Sequence, residues 1–357
     1  MSSQNLSENP ASSLEALSEF AGRDHHEAPE TYRAALEAVV DVLSQQDIVP
    51  RLSNLPTIII PDLHARRTML TDILSAPIGA GSSTGEQVFG LLQKGLINVV
   101  CVGDIVHSEE PSNWVINRDG EWTPALLDKE MVRSLGAGIM VMYLKLQFPD
   151  HFHCLRGNHD DMVMEFGPFR KFVGLRRDEQ DEVVVVEGRP VLTGDKGESE
   201  LVRDWVLTRE GWGQAFLDAW TQFERALPLF AQGSYFVVSH TLPRIPLSEA
   251  ALHDPGKPRE VTSELTQRRG VNGDSIVRTL ENLGIKSIIQ RWFYGHTPVS
   301  AEKNGGKYEE GLDGLLIRLN NPKNYVFAYV PASDDERRFD PIRDVYIKSP
   351  AEEHFHL

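Results

Sequence analysis

Cysteine is nearly absent from this 357-residue chain: Cys101 and Cys154 are the only two. A disulfide framework is therefore excluded as an organising principle. Each cysteine lies in an apolar run that reads as a strand, so both are expected to be buried free thiols. Long hydrophobic stretches are missing as well. Runs such as Ile97–Val102 and Tyr235–Val238 are far too short to cross a bilayer, and no membrane partner is expected. Met1 to Pro10 is polar and lacks the basic-then-apolar pattern of a secretory leader, so the expected location is cytoplasmic. Positive charge is scarce: 36 Lys and Arg stand against 52 Asp and Glu, a formal net charge of -16. A sequence-blind grip on a nucleic-acid polymer needs a basic surface and is not expected. The same acidity repels phosphorylated ligands unless a cationic pocket reverses the field locally, as a pair of divalent metals would.

What is present is ordinary globular composition, with 41% hydrophobic residues. Residues 1–12 read as a loose polar tail. In residues 30–46, Tyr32, Ala35, Leu36, Val39 and Leu43 recur at helical spacing, which predicts an N-terminal helical arm. A core begins near Thr57. Thr57–Ile60, Ile97–Val102, Phe152–Leu155, Tyr235–Val238 and Ser287–Ile289 read as strands. Helices are predicted at Arg67–Leu74, near Glu86–Lys94, and over residues 127–148, 205–226 and 276–283. Val183–Val186 and Val191–Thr193 flank Glu187-Gly188-Arg189-Pro190 and predict a hairpin. Leu315–Leu319 and Tyr325–Val330 predict an antiparallel pair around Asn320-Asn321-Pro322. Residues 332–357 are charged and expected to be peripheral. This order predicts a layered α/β protein.

Nearly every predicted strand runs directly into a cluster of Asp, His or Asn. Asp62-Leu63-His64 follows the first, Gly103-Asp104 the second, and Gly157-Asn158-His159-Asp160 the third. Ser239-His240 and Gly295-His296-Thr297 follow the next two. Ligands in α/β folds bind beyond the carboxyl ends of strands. Any one cluster is weak evidence. Together they offer carboxylate, imidazole and amide oxygen, a donor set suited to Mn²⁺, Fe or Zn²⁺ at hydrolytic sites.

In order and wording these motifs resemble the calcineurin-like metallophosphoesterases: DxH, GD, GNHD or GNHE, a lone His, and GH. The resemblance covers roughly residues 55–330. Leu155-Arg156-Gly157-Asn158-His159-Asp160 is similar to the LRGNHE run of the serine/threonine protein phosphatase branch, and Ala226-Leu227-Pro228 to the Leu-Pro before that branch's histidine strand. Gly295-His296-Thr297-Pro298 is similar to the GHTP of bacterial and phage relatives. Arg269-Gly270-Val271 resembles a segment that places a phosphate-gripping arginine. The resemblance implies an α/β fold, a layered β-sandwich flanked by helices. It divides the chain into a tail and helical arm at 1–50, a metallophosphoesterase domain at 51–331, and a C-terminal extension at 332–357. The domain carries insertions near 77–86, 108–126 and 176–204.

The resemblance also implies roles. Asp62, His64 and Asp104 would hold one divalent metal. Asp104, as a bridge, with Asn158, His240 and His296 would hold a second. Mn²⁺ is the leading candidate, with Fe or Zn²⁺ next. A metal-bridging hydroxide would attack the phosphorus, and His159 would be the general acid. Asn158, Arg269 and Arg244 are implied to contact substrate, a phosphorylated protein or small molecule. The chain departs from the family in the second motif, Gly103-Asp104-Ile105-Val106-His107-Ser108-Glu109. His107 replaces the aspartate that orients the catalytic histidine, and Ser108 replaces a phosphate-gripping arginine. Ala65 stands where glycine is common. Asp160 or Asp161 is then a candidate to orient His159, beside His107, and Arg66, Arg244 or Arg269 to bind phosphate. Two other readings stay open: a dinucleoside polyphosphate hydrolase, and a catalytically weak member that binds phosphorylated ligands.

Overall fold

The computed structural model describes residues 12–25, 29–78, 85–109, 124–166, 185–186, 189–190, 197–335 and 338–348. Its strands are β1 (Thr57–Ile60), β2 (Pro77–Ile78), β3 (Glu86–Gln87), β4 (Asn98–Cys101), β5 (Phe152–Cys154), β6 (Val185–Val186) and β7 (Arg189–Pro190). They continue with β8 (Phe230–Gln232), β9 (Phe236–Ser239), β10 (Arg291–Tyr294), β11 (Glu309–Gly311), β12 (Leu316–Arg318), β13 (Tyr325–Val330) and β14 (Val345–Lys348). Ten of them form two five-stranded sheets, ordered β14-β13-β1-β4-β5 and β11-β12-β10-β9-β8. β2 with β3, and β6 with β7, make two small ribbons.

Alternation along β1 shows how the layers stack. Ile58 and Ile60 pack into a cluster with the helices Leu14–Ala21, Pro29–Ser44, Arg67–Leu74, Val88–Gln93, Pro124–Gln147, Glu198–Leu207 and Gly213–Ala226. Ile59 points the other way, into a cluster with Val100 and Leu155 of its own side and Val238, Phe293 and Ile317 of the second sheet. Successive side chains of a strand face opposite sides, so a strand buried on both faces reads as a continuous apolar run. The second sheet turns Val237, Trp292 and Leu316 outward onto Val261, Leu265, Ile276 and Leu280 of two further helices, Arg259–Thr266 and Gly273–Asn282. The layers are thus helices, sheet, sheet, helices, a β-sandwich flanked on both sides. Within the N-terminal arm, Tyr32 is buried, bonds the carbonyl of Leu135 at 3.1 Å and stacks on Trp220.

β1, β4 and β5 are mutually parallel, as are β9, β10 and β12. Their carboxyl ends therefore share one edge of each sheet, and the sandwich brings those edges together. Cys101 and Cys154 are paired residues of neighbouring strands, both buried and free, as expected.

Three expectations are corrected. Ser287–Ile289 is a helical turn, closed by the amides of Ile288 and Ile289 onto the carbonyl of Ile285; the strand is Arg291–Tyr294. The isoleucines sit at i and i+3, i+4, so a short apolar run was misread for its period. Leu315–Leu319 and Tyr325–Val330 do not pair: β12 joins the second sheet and β13 the first. Asn321 Oδ1 accepts from the amides of Lys323 and Asn324, a turn that carries the chain between sheets. The C-terminal segment is not merely peripheral, because β14 pairs with β13 and Val345 joins the core between the sheets. Of the predicted hairpin, Val185–Val186 pairs with Arg189–Pro190, and Val191–Thr193 lies outside the described residues. So do most of the insertion at 108–126 and the first part of that at 176–204.

Candidate metal centre

The six residues implied as ligands meet at that shared edge. Asp62 and His64 follow β1, Asp104 follows β4, Asn158 follows β5, His240 follows β9 and His296 follows β10; all six are buried. The chain turns sharply to aim them. His64, Asp104 and His296 hold left-handed φ of 45°, 49° and 65°, and His107 one of 65°. Such strain at non-glycine residues persists only where surroundings over-determine it. A Cβ added at Gly157 would fall on Asp104 Oδ1, and one at Gly295 on Asp62 Oδ1. These two glycines are needed for close approach of backbone to carboxylate.

Asp104 sits between two histidines. Its Oδ2 is 3.5 Å from His64 Nε2 and 3.5 Å from His240 Nε2. His64 Nδ1 donates to the carbonyl of His107 at 3.0 Å, and His240 Nδ1 to that of Val102 at 3.2 Å. When these rings are neutral, both Nε2 atoms present lone pairs toward the carboxylate. Asn158 Oδ1 lies 3.0 Å from His240 Nε2 and 2.6 Å from His296 Nδ1, and those two nitrogens are 3.2 Å apart. At most one proton is available for these three atoms. Convergent lone pairs of this kind suit a cation.

Charge points the same way. Burial, and then the charge of Asp104, push the Asp62 carboxyl well above the ordinary range. Burial opposes the charge of Asp104 too, but His240, His159 and His64 outweigh it and hold that carboxyl below the usual range. Burial, aided by His240, lowers His296 to about 2, so its ring is neutral and can act as a ligand. Three buried groups have the spacing that could hold a metal ion: His64-Asp104-His159, Asp104-His240-His296 and His107-His159-Glu198.

Other candidates fall in different places. Arg269 is exposed, with its Nε 3.3 Å from His296 Nε2 at the rim of the cluster. Arg244 is exposed and bonds through its backbone: the amide donates to Glu264, and the carbonyl accepts from Asn272 and Ser275. Among the described residues no contact brings its guanidinium to the cluster. Arg66 is spent on the carbonyls of Asp62, Leu63 and Asn321. Ser108 is buried with its amide on Glu130.

Neither Asp160 nor Asp161 orients His159. Asp160 accepts from the amides of Asp104, Ile105 and Gly157 at 2.8–2.9 Å, stitching two ligand loops together. Asp161 accepts from the amides of Glu165 and Phe166. His107 does face His159, with their Nδ1 atoms 3.4 Å apart. Among the described residues the carboxylate against the His159 ring is one that sequence reasoning missed: Glu198 Oε2 stands 2.7 Å from His159 Nδ1. Glu109 was missed as well; its carboxylate reaches to 3.6 Å from His64 Nε2. The only sequence signal for Glu198 was its place in an inserted segment. Glu109 ends the altered second motif.

A protein serine/threonine phosphatase from Saccharomyces cerevisiae, with similarity to human phosphatase PP5, superposes with TM-score 0.55 at 14% identity, over 92% of this chain and 92% of that one. A cold-active protein-tyrosine phosphatase of a psychrophilic Shewanella gives 0.44 at 11% identity over 82% and 79%. A putative diadenosine tetraphosphatase gives 0.38 at 14% identity over 85% and 98%. No protein-family model and no curated protein matches the sequence. The first of these likenesses shows that the chain has the calcineurin-like metallophosphoesterase fold.

Proposed function

We propose that this chain is a binuclear metal-dependent phosphomonoesterase of the cytoplasm, acting on phosphoserine or phosphothreonine in proteins or on a small phosphorylated molecule. The observation that carries the reading is Asp104 Oδ2, 3.5 Å from a histidine of each half-site. A carboxylate shared in this way lets two cations act as one clamp. Asp62, His64 and Asp104 would hold one ion, and Asp104, Asn158, His240 and His296 the other. Mixed oxygen and nitrogen donors without thiolate fit Mn²⁺ first, with Fe or Zn²⁺ as alternatives. When bound, the pair polarises the phosphoryl oxygens and lowers the pKa of a shared water.

The chain's own residues do the rest. Water adds its oxygen to phosphorus, the bond to the leaving oxygen breaks, and that oxygen takes a proton from His159. The products are an alcohol and inorganic phosphate. Arg269, at the rim, offers a guanidinium fork to phosphate where Ser108 offers none. Arg244 is the weaker substrate-binding candidate, because its backbone is bonded to Glu264, Asn272 and Ser275, away from the cluster. The protein-phosphatase branch supplies the substrate class, through the Leu155–Asp160 wording and the likeness to the yeast phosphatase.

The test is a hydrolysis panel of phosphopeptides, aryl and alkyl phosphates and diadenosine tetraphosphate, run with Mn²⁺ and with chelator. Release of phosphate from the monoesters, lost on demetallation, is the expected result. Hydrolysis that survives complete removal of metal would overturn the mechanism. No hydrolysis of any ester would overturn the reading.

A further inference from the structure

The second motif places an imidazole, His107, where the fold's phosphatases are expected to carry the carboxylate that steers the catalytic histidine. A second imidazole is a poor substitute. It cannot stabilise a neighbouring imidazolium by charge, and two charged rings beside divalent cations repel one another. A general acid held that way would protonate its leaving group badly.

The structure supplies the lost charge from elsewhere. Glu198 Oε2 is 2.7 Å from His159 Nδ1 and 3.5 Å from His107 Nδ1. The two rings meet edge to face with centroids 5.5 Å apart. Glu198 is 0% exposed, and His107 and His159 are 1% each. At 2.7 Å the carboxylate is within ion-pair range of the His159 ring, and burial strengthens the attraction by excluding water. One carboxylate oxygen thus faces two ring nitrogens.

The element that carries Glu198 is built to hold it still. Glu198 is the first residue of the helix Glu198–Leu207, where the helix dipole favours an anion. Glu200 Oε2 reaches back to the amide of Gly197 at 3.0 Å and closes the helix start. Leu201, Val202, Trp205 and Val206 are buried in the helix-side core. Trp205 Nε1 donates to Asp128 at 2.8 Å, Arg209 to the same carboxylate at 2.7 Å, and the Arg209 guanidinium lies 4.2 Å from the Trp205 ring. Rotating this helix would break that array. The side chain at its N-terminus is therefore fixed against His159.

We propose that Glu198 is the positioning residue for His159: an inserted helix returns, from a distant part of the chain, the carboxylate that His107 displaced. The inference rests on the phosphoesterase reading. Glu198 pairs by charge with the Nδ1 side of His159, which orients the ring and stabilises the imidazolium that gives its other proton to the leaving oxygen. His107 is then a partner of the carboxylate and not a substitute for it. Activity depends on the inserted helix being docked.

The experiment compares wild type, Glu198→Gln, Glu198→Asp and Glu198→Gln/His107→Asp, with metal content and melting temperature measured on each sample. In Glu198→Gln, kcat on alkyl phosphates should fall by about 10², with KM and metal content unchanged, since proton donation is what is lost. Aryl phosphates have better leaving groups and should lose about tenfold or less. Glu198→Asp keeps the charge and should retain more activity than Glu198→Gln. Restoring a carboxylate at 107 should recover the alkyl activity. In zinc-loaded protein, the His159 Nδ1 proton resonance should lie far downfield in wild type and move upfield in Glu198→Gln. Metal lost in parallel with activity would make Glu198 a ligand and overturn the proposal. Equal losses on both ester classes, or an unmoved His159 resonance, would overturn it as well. If wild type hydrolyses no phosphoester, the functional reading fails separately, and the resonance still decides whether Glu198 holds His159.

Discussion

The backbone amide of His296 donates to both carboxylate oxygens of Asp62, at 3.1 and 2.8 Å, and so ties the end of β10 to the end of β1. The two sheets are thereby joined at two of the candidate ligands, and Asn320, after β12, adds a third link to Asp62. Geometry at one half-site cannot shift without shifting the other.

Gly295 makes that contact possible, because a side chain there would collide with Asp62 Oδ1. Gly295→Ala should force the sheets apart at the site. The expected cost is about 1–3 kcal/mol of stability, as for other overpacked positions. Metal content should drop together with activity. Elemental analysis and thermal melting check this, and a variant with full metal content and normal turnover would show that the contact is dispensable.

His159→Asn should lower turnover by about 10² while leaving metal stoichiometry unchanged, as for the loss of a general acid. Rate and bound metal are to be measured on one preparation. His159 touches the centre through its backbone as well, since its amide donates to Asp104 Oδ1 at 2.7 Å. That bond survives the substitution, so a proportional loss of metal would mean that the ring itself is a ligand.

Most of the candidate metal centre was legible in the sequence because five of the six implied ligands, all but His296, follow apolar runs read correctly as strands; His296 was marked by its Gly-His-Thr motif alone. Ile58-Ile59-Ile60 before Asp62, and Val99-Val100-Cys101-Val102 before Asp104, announce themselves without any partner being known. Glu198 was not legible, because its link to His159 is made by packing between elements far apart in the chain. Nothing in Gly197-Glu198-Ser199 distinguishes it from a solvated helix start. Pairing failed for a similar reason. Asn320-Asn321-Pro322 has hairpin chemistry, but Asn320 is committed to Asp62 and Asn321 to a turn that changes sheets. β14 was missed because its strand is short and lies in a charged segment.

Glu224 gives a pH signature in stability. Burial, against the pull of Arg156, raises its carboxyl from 4.5 to about 8, and it accepts from Trp220 Nε1 and the amide of Met162. An acid whose folded pKa lies above its unfolded value contributes stability that is fully present below about 4.5 and is lost as pH rises through about 8. Wild-type melting temperature should therefore decline across that window. Glu224→Gln keeps a polar partner for Trp220 without the ionisation, and its melting temperature should decline less. Parallel pH profiles for the two proteins would show that Glu224 is not the group responsible.

Arg269 is exposed at the rim of the cluster and should contact substrate phosphate. Its guanidinium has donors alone, so its contact with His296 Nε2 at 3.3 Å requires an unprotonated Nε2. From the rim its guanidinium fork is placed to pair with phosphate. Lysine keeps the charge but not the parallel hydrogen bonds of the fork. Arg269→Lys should therefore weaken inhibition by inorganic phosphate and lower kcat/KM, each by about tenfold, in line with the loss of one charge-assisted hydrogen bond of roughly 1.5 kcal/mol. Metal content should not change. Phosphate inhibition measured with Mn²⁺ present decides the matter: an inhibition constant equal to wild type would place Arg269 outside the phosphate site.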